Sequence, residues 1–346
     1  MSLKATIAAE IAARGPMPFE RFMELSLYHP EGFFGGSKLR SEKAGDFLTS
    51  PEVSPLFGRT LARFVATERA RIGEPFQVVE VGAGSGSLLR PLLEEVRAPA
   101  VAVDVSPAAR ASLAASLPDV EISETIPDRV RGVVIANELL DNLPMALAQR
   151  VGGAWRERWV GLEGDDLVFV DAPARPAVAG WLEQHAAEVG DGGWVEVQLA
   201  AGEWVRDVLG RMQSGSLLII DYGGTSEDLL PRRGDGTLRT YQSHHLGPHP
   251  LDFPGETDIT ADVEFSAIAA AARDAGAGVE LVRQDDFLAG LGLREHLSEL
   301  RAAELEAARE GDHDRRLRLR TVKTEIETLL HPRGLGGFMV MIARMP

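Results

Sequence analysis

An α/β fold is the one this sequence predicts, and three observations predict it. Short β-branched runs alternate with helical stretches from Gln77 onward, a glycine-rich turn (GAGSG) joins the first run to the helix after it, and carboxylates close successive runs. Gln77 to Val81 (QVVEV) is apolar, β-branched and followed by glycine, so it reads as a buried strand. A helix follows from about Ser87 to Val96, then a strand over Val101 to Val105, a helix from Pro107 to Leu117 and a strand over Val130 to Asn137. Leu217 to Asp221 (LLIID) is a further strand. Alternation of this kind implies a parallel sheet with right-handed crossovers.

The pattern is interrupted between Ala146 and Ser216. Trp155–Val160 and Leu167–Asp171, joined through GLEGDD, read as a β-hairpin. Helices are expected near Ala177–Val189 and Ala201–Gln213. From Gly223 to Thr260 the chain is rich in Gly, Pro, His and Asp and reads as a long functional loop. A helix near Ala261–Ala275 and a strand near Val279–Gln284 restore the alternation. Leu293–Leu330 is charged and helical with a break at Gly311, and Gly337–Ala343 is the last strand. The division expected is a helical cap and loop over residues 1–75, then one domain over 76–346 with insertions at about 146–216 and 285–332.

Bulk composition narrows the function. Of the 346 residues 45% are hydrophobic, a globular value. There is no cysteine, which excludes disulfides, thiolate metal sites and cysteine nucleophiles. No apolar run reaches the roughly 18 residues of a membrane span, so no membrane insertion is expected. The first 22 residues carry Glu10 and Glu20 and read as an amphipathic helix, and cytoplasm is the location expected. Fifty-two acidic residues against 36 basic ones, a formal charge of −16, argue against a nucleic-acid partner. His244, His245 and His249 stand one and four residues apart, which matches no zinc pattern, and no metal is expected.

The turn after the first strand carries the chemistry. Gly82, Gly84 and Gly86 form GxGxG, with Ala83 between the first two. Glycines there let the backbone turn tightly and approach a ligand, and the following helix offers unpaired N–H groups. The dinucleotide fingerprint GxGxxG fails, because its third glycine would fall at Ser87. Glu80, two residues before Gly82, would repel a pyrophosphate and suits the cationic methionine end of S-adenosyl-L-methionine. Asp104 closes the next strand 18 residues after Gly86, placed to accept hydrogen bonds from both ribose hydroxyls. The whole reads as a Rossmann-like site for S-adenosyl-L-methionine, rather than a turn that only packs helix on strand.

Longer stretches carry a family resemblance: PMPFERFMELSLYHPEGFF, AGDFLTSPEVSPLFG, VEVGAGSG, ANELLDNLP, LLIIDYG, GTLRTYQSHH, DITADVEF and QDDFLAGLGL. With these the chain resembles the MidA-type methyltransferases, whose mitochondrial members are arginine methyltransferases that assist assembly of respiratory complex I. The resemblance implies a class I methyltransferase fold with a seven-stranded sheet, an N-terminal cap and insertions. It implies an S-adenosyl-L-methionine-dependent enzyme whose acceptor is arginine in a protein, such as a respiratory-complex subunit. A small-molecule acceptor, or an assembly factor that binds the cofactor and holds a partner, are the alternatives. The family loop usually reads GPGRG, where this chain has GAGSG.

An arginine acceptor would need carboxylates, since a guanidinium stays charged to about pH 12 and pairs with acids in bidentate fashion. Glu138 and Asp141 follow the strand that ends at Asn137. If the chain turns helical there, the two acids share a face, three residues apart. Asn137 could contact the methionine end through its amide, or simply cap that helix with the acids in its first turn. Asp46, Thr49, Ser50, Pro51 and Glu52 form a second polar cluster that could fold over the cofactor. Ser50 could equally cap a helix with Pro51 at its first position. Asp221 and Tyr222 end a strand on the same sheet edge. The catalytic candidates are thus Glu138, Asp141 and Asp46, with Glu80, Gly82, Ala83, Gly84, Gly86, Asp104, Asn137 and Pro51 for the cofactor.

Overall fold

The computed structural model describes residues 2–36, 49–242 and 245–346. Seven strands build the central sheet: β1 (Gln77–Val81), β2 (Ala100–Val103), β3 (Glu121–Ser123), β4 (Val130–Asn137), β5 (Met212–Asp221), β6 (Gly278–Arg283) and β7 (Met339–Met345). Their order is β6-β7-β5-β4-β1-β2-β3. β7 runs antiparallel to both β5 and β6, and the other neighbours are parallel. This is the seven-stranded sheet of a class I methyltransferase fold, as expected.

Burial on both faces explains why these runs are strands. Val78, Ile135 and Leu218 enter one apolar layer, while their neighbours Val79, Val134 and Leu217 enter the other. All six are fully buried. Alternation with period two feeds both layers, each such side chain contributing about 1.5–3 kcal/mol. Helices Leu56–Ile72, Leu89–Val96 and Leu293–Glu310 supply the first layer, and Leu199–Arg211 with Phe265–Asp274 the second.

The first 36 residues and the insertion share a separate core. Helices Leu3–Arg14 and Phe19–Tyr28 pack Ile7, Phe22 and Met23 against Leu147, Val160 and Leu167 of an antiparallel sheet. That sheet contains Ala146–Val151, Ala154–Glu163, Asp166–Pro173 and Trp194–Val197, with Met17–Pro18 paired onto its edge. The predicted hairpin is present with longer arms. The strands at 146–151 and 194–197 lie where no strand was predicted. Helix Leu56–Ile72, within the expected cap, packs instead on the central sheet.

One local expectation changes. The stretch 223–260 is not structureless: Arg239–Gln242, His245–Leu246 and Asp258–Thr260 pair as a small antiparallel sheet. Its Gly and Pro content hid strands whose pairing is made at a distance. Buried Arg233 fixes the approach to it, donating to Glu196 at 2.8 Å and Glu264 at 3.2 Å.

Candidate active site

The carboxyl ends of β1, β2, β4 and β5 converge on one edge of the sheet, where α/β folds take their ligands. After β1, the N–H groups of Gly82 and Ala83 donate to Val103 O at 2.8 and 3.2 Å, drawing the glycine turn over β2. Gly82 and Gly84 have φ of 75° and 52°. The left-handed φ of Gly82 is what calls for glycine there; a Cβ would also stand 3.0 Å from Leu139 Cδ1. Asp104 accepts from Gly84 N at 2.9 Å and Ser106 N at 2.8 Å, which aims its carboxylate into the cavity below the turn. Burial raises its pKa against the effect of those two N–H groups.

That cavity is about 370 Å³. Asp104 stands on one wall, and Val81, Val105, Ala109, Ile126 and Trp204 supply apolar sides. Carboxylate and apolar slot together fit a nucleoside: the acid for a ribose diol, the slot for a purine. S-adenosyl-L-methionine therefore suits these residues. Gly82 and Gly84 line the cavity. Gly86 packs against Leu113 and Leu117, and Ala83 is buried. Glu80 lies in β1 rather than on the wall; burial, then the charge of Asp104, hold its carboxyl well above the usual range.

After β4 the chain does not turn into an α-helix. Glu138 has φ 49° and its N–H donates to Ile220 O at 2.8 Å; a 3₁₀ turn, Leu140–Asn142, follows. Glu138 and Asp141 are therefore not neighbours on one helical face. The cause is Asp221, whose buried carboxylate accepts from Leu140 N at 3.0 Å and Asp141 N at 3.4 Å and ties the turn to β5. The two acids still interact through space. Burial first, then the charge of Asp141, push the Glu138 carboxyl up to about 8. Its oxygen accepts from Ser50 N at 3.4 Å and Asn137 Nδ2 at 3.2 Å.

Asp141 is buried. Its Oδ2 accepts from Thr260 at 2.7 Å and from the Tyr222 hydroxyl, while Oδ1 has no hydrogen-bond partner. Burial raises its pKa. Asp221 is held well above the carboxylate range by burial, then by Asp141 and Glu138. Asn142 bonds Asp258 at 2.8 Å, and its carbonyl accepts from Tyr28 at 3.0 Å. A second cavity, about 1220 Å³, opens beyond Glu138 and Asp141. Phe34, Glu138 and Asn142 line both cavities.

Of the other expected residues, Asn137 turns its amide to Glu138, and neither it nor Pro51 lines either cavity. Thr49, not Ser50, caps the short helix Ser50–Val53 in a capping box with Glu52, and Pro51 stands at its second position. Asp46 and His244 lie outside the described residues. His245 is exposed, and His249 packs edge-on against Phe169. Sequence reasoning missed Tyr28, Phe34 and Trp204. They arrive from the end of the second N-terminal helix, the turn after it and the second apolar layer, and no local pattern marks them.

Comparisons with known proteins fit this geometry. A family model described as an S-adenosyl-L-methionine-dependent methyltransferase matches residues 60–282. The protein arginine methyltransferase NDUFAF7, mitochondrial, of Mus musculus is 30% identical over 82% of this chain and 72% of its own length. The counterpart of Homo sapiens is 29% identical over the same shares. The crystal structure of a superfamily member from Burkholderia thailandensis bound to S-adenosyl-homocysteine superimposes with a TM-score of 0.88 at 33% identity, covering 99% of this chain and 92% of that one. The NDUFAF7 relatives correct one expectation: they are named as mitochondrial proteins, which overturns the cytoplasmic location read from the sequence. Among the described residues, no helix is long and apolar enough to cross a membrane.

Proposed function

The chain belongs to the S-adenosyl-L-methionine-dependent methyltransferase family of MidA type, and on that premise we propose that it N-methylates arginine in a protein partner. The observation that carries this reading is Glu138, which faces the nucleoside cavity on one side and the larger cavity on the other. When bound, the cofactor supplies a methyl group activated by its sulfonium, taken in line by an acceptor nitrogen to leave S-adenosyl-homocysteine. Asp104 would hold the ribose, and the Gly82–Gly84 turn would carry the methionine end.

The chain's own work is to orient the acceptor and receive a proton. A guanidinium entering from the larger cavity meets Asp141, whose Oδ1 has no hydrogen-bond partner of its own, and then Glu138 on the wall between the cavities. Charged, hydrogen-bonded pairs of this kind are strong in a partly dry site. The empty Glu138 carboxyl, pushed up to about 8, ionises as the cation docks. One Nη is then oriented toward the methyl group. As it bonds the methyl carbon it sheds a proton, which Glu138 accepts and later releases to water. Positioning and exclusion of water supply most of the catalysis. Relatives named as protein arginine methyltransferases support the acceptor class.

The test is methyl-labelled S-adenosyl-L-methionine with lysate of the host, followed by acid hydrolysis and mass spectrometry of the labelled amino acids. Labelled methylarginine is expected. Label confined to small molecules, or to lysine, would sink the arginine reading and leave the methyltransferase standing.

A further inference from the structure

The larger cavity has two electrical sides. Its inner end carries Glu138, Asp141 and Asp258. Its outer wall carries four guanidinium groups, Arg232, Arg239, Arg283 and Arg333, set against Asp262 and Glu327. On a chain of formal charge −16, this outer wall sets four arginines against two acids, a local excess of positive charge. An acidic segment would be repelled elsewhere and attracted here.

Three of the four guanidiniums are ion-paired within the protein, but their acids do not cancel the whole charge. Asp262 serves two guanidiniums at once, those of Arg232 and Arg239. Glu327 is taken by Arg301 at 2.9 Å. Arg283 pairs with Asp285 and donates to Pro332 O at 2.9 Å, which fixes the turn bearing Arg333. Arg333 itself has no ion pair and no side-chain hydrogen bond among the described residues. Arg239 lies over the Tyr222 ring, 5.4 Å from its centre, and so joins the outer wall to the inner cluster.

We propose that this cavity selects an arginine flanked by acidic residues, the inner carboxylates taking the guanidinium and the outer arginines the flanking carboxylates. The proposal rests on the guanidinium reading above and adds a sequence preference to it. Each charge of such a segment meets its complement along one opening. A segment without acids would leave Arg333, and the charge that Asp262 alone cannot cancel on Arg232 and Arg239, uncompensated. Exposed pairs are individually weak, so the preference comes from several together and fades with salt.

Four peptides test it, binding being measured by calorimetry in the presence of S-adenosyl-homocysteine. They carry arginine or its neutral isostere citrulline, each with aspartate or asparagine flanks. We expect aspartate flanks to tighten binding about tenfold for either centre, and this gain to shrink at high salt and vanish in Arg333→Glu. Unchanged S-adenosyl-homocysteine affinity in that variant shows that it is folded. Equal affinity for both flanks overturns the proposal, and so does a flank effect that Arg333→Glu retains in full. Citrulline bound as tightly as arginine overturns the guanidinium reading instead, while the flank comparison still reads the outer wall. If no peptide binds, both fall.

Discussion

The backbone N–H of Glu138 donates to the carbonyl of Ile220 at 2.8 Å, with Glu138 itself at φ 49°. One hydrogen bond thus locks the turn after β4 onto the end of β5 and turns a carboxylate to the wall between two cavities. A side chain held in this left-handed conformation costs roughly 1 kcal/mol, which the surrounding contacts must offset. Glu138→Gln keeps the shape and removes the charge. Turnover on an arginine acceptor should fall roughly 10²-fold or more, with cofactor affinity within a few fold. A methylation assay beside a calorimetric titration checks both. Lost cofactor binding would move Glu138 into the cofactor site.

The same carboxyl sets a pH dependence. Its folded pKa, about 8, lies above the ordinary 4.5. It must ionise to hold a guanidinium, so kcat/KM should rise with pH up to about 8 and then level. That limb should disappear in Glu138→Gln. Stability runs the other way. A carboxyl whose pKa is raised on folding stabilises the fold fully below its unfolded pKa, and that contribution is lost as pH rises through 8. The cofactor-free protein should therefore melt lower at pH 9 than at pH 6, with the difference reduced in Glu138→Gln.

Asp104→Ala should weaken S-adenosyl-homocysteine binding by roughly 2–4 kcal/mol, from two lost hydrogen bonds to a carboxylate. It also frees the N–H groups of Gly84 and Ser106, so some melting temperature should be lost. Calorimetry and a thermal scan separate the two. An affinity unchanged by the substitution would show that Asp104 does not hold the ribose.

Tyr222→Phe removes a hydroxyl shared by Asp141 and Thr260. Leaving a buried acid with one partner fewer should cost about 1–3 kcal/mol in denaturant unfolding. Asp141 would lose its orientation, so KM for the acceptor should rise more than cofactor affinity falls. Equal effects on both would make Tyr222 a packing residue only.

Arg233→Ala should be the most damaging of these changes to the fold. It strands the buried carboxylates of Glu196 and Glu264, and breaking such a pair costs about 3–5 kcal/mol. Urea titration with the wild type beside it measures this. A loss under 1 kcal/mol would mean that water replaces the guanidinium.

Sequence by itself determined what depends on neighbours along the chain. The strands over 77–81, 130–137 and 217–221 were legible because β-branched residues there fill both faces of the sheet. The glycine turn and Asp104 beyond β2 were legible because their spacing is a local requirement of the backbone, whereas Glu80, expected at the cofactor, is buried in β1 and lines neither cavity. Tertiary structure alone decided what depends on residues far apart. Ser50 meets Glu138 across 88 positions, Tyr222 meets Asp141 across 81, and Arg239 pairs in register with Thr260 inside a stretch that reads as loop. Periodicity cannot carry such contacts, because a side chain's partners are chosen by how packed layers close. The helical turn considered after Asn137 does not form, for the same reason. Asp221, distant in sequence, captured the N–H groups of Leu140 and Asp141 and bound that turn to the end of β5.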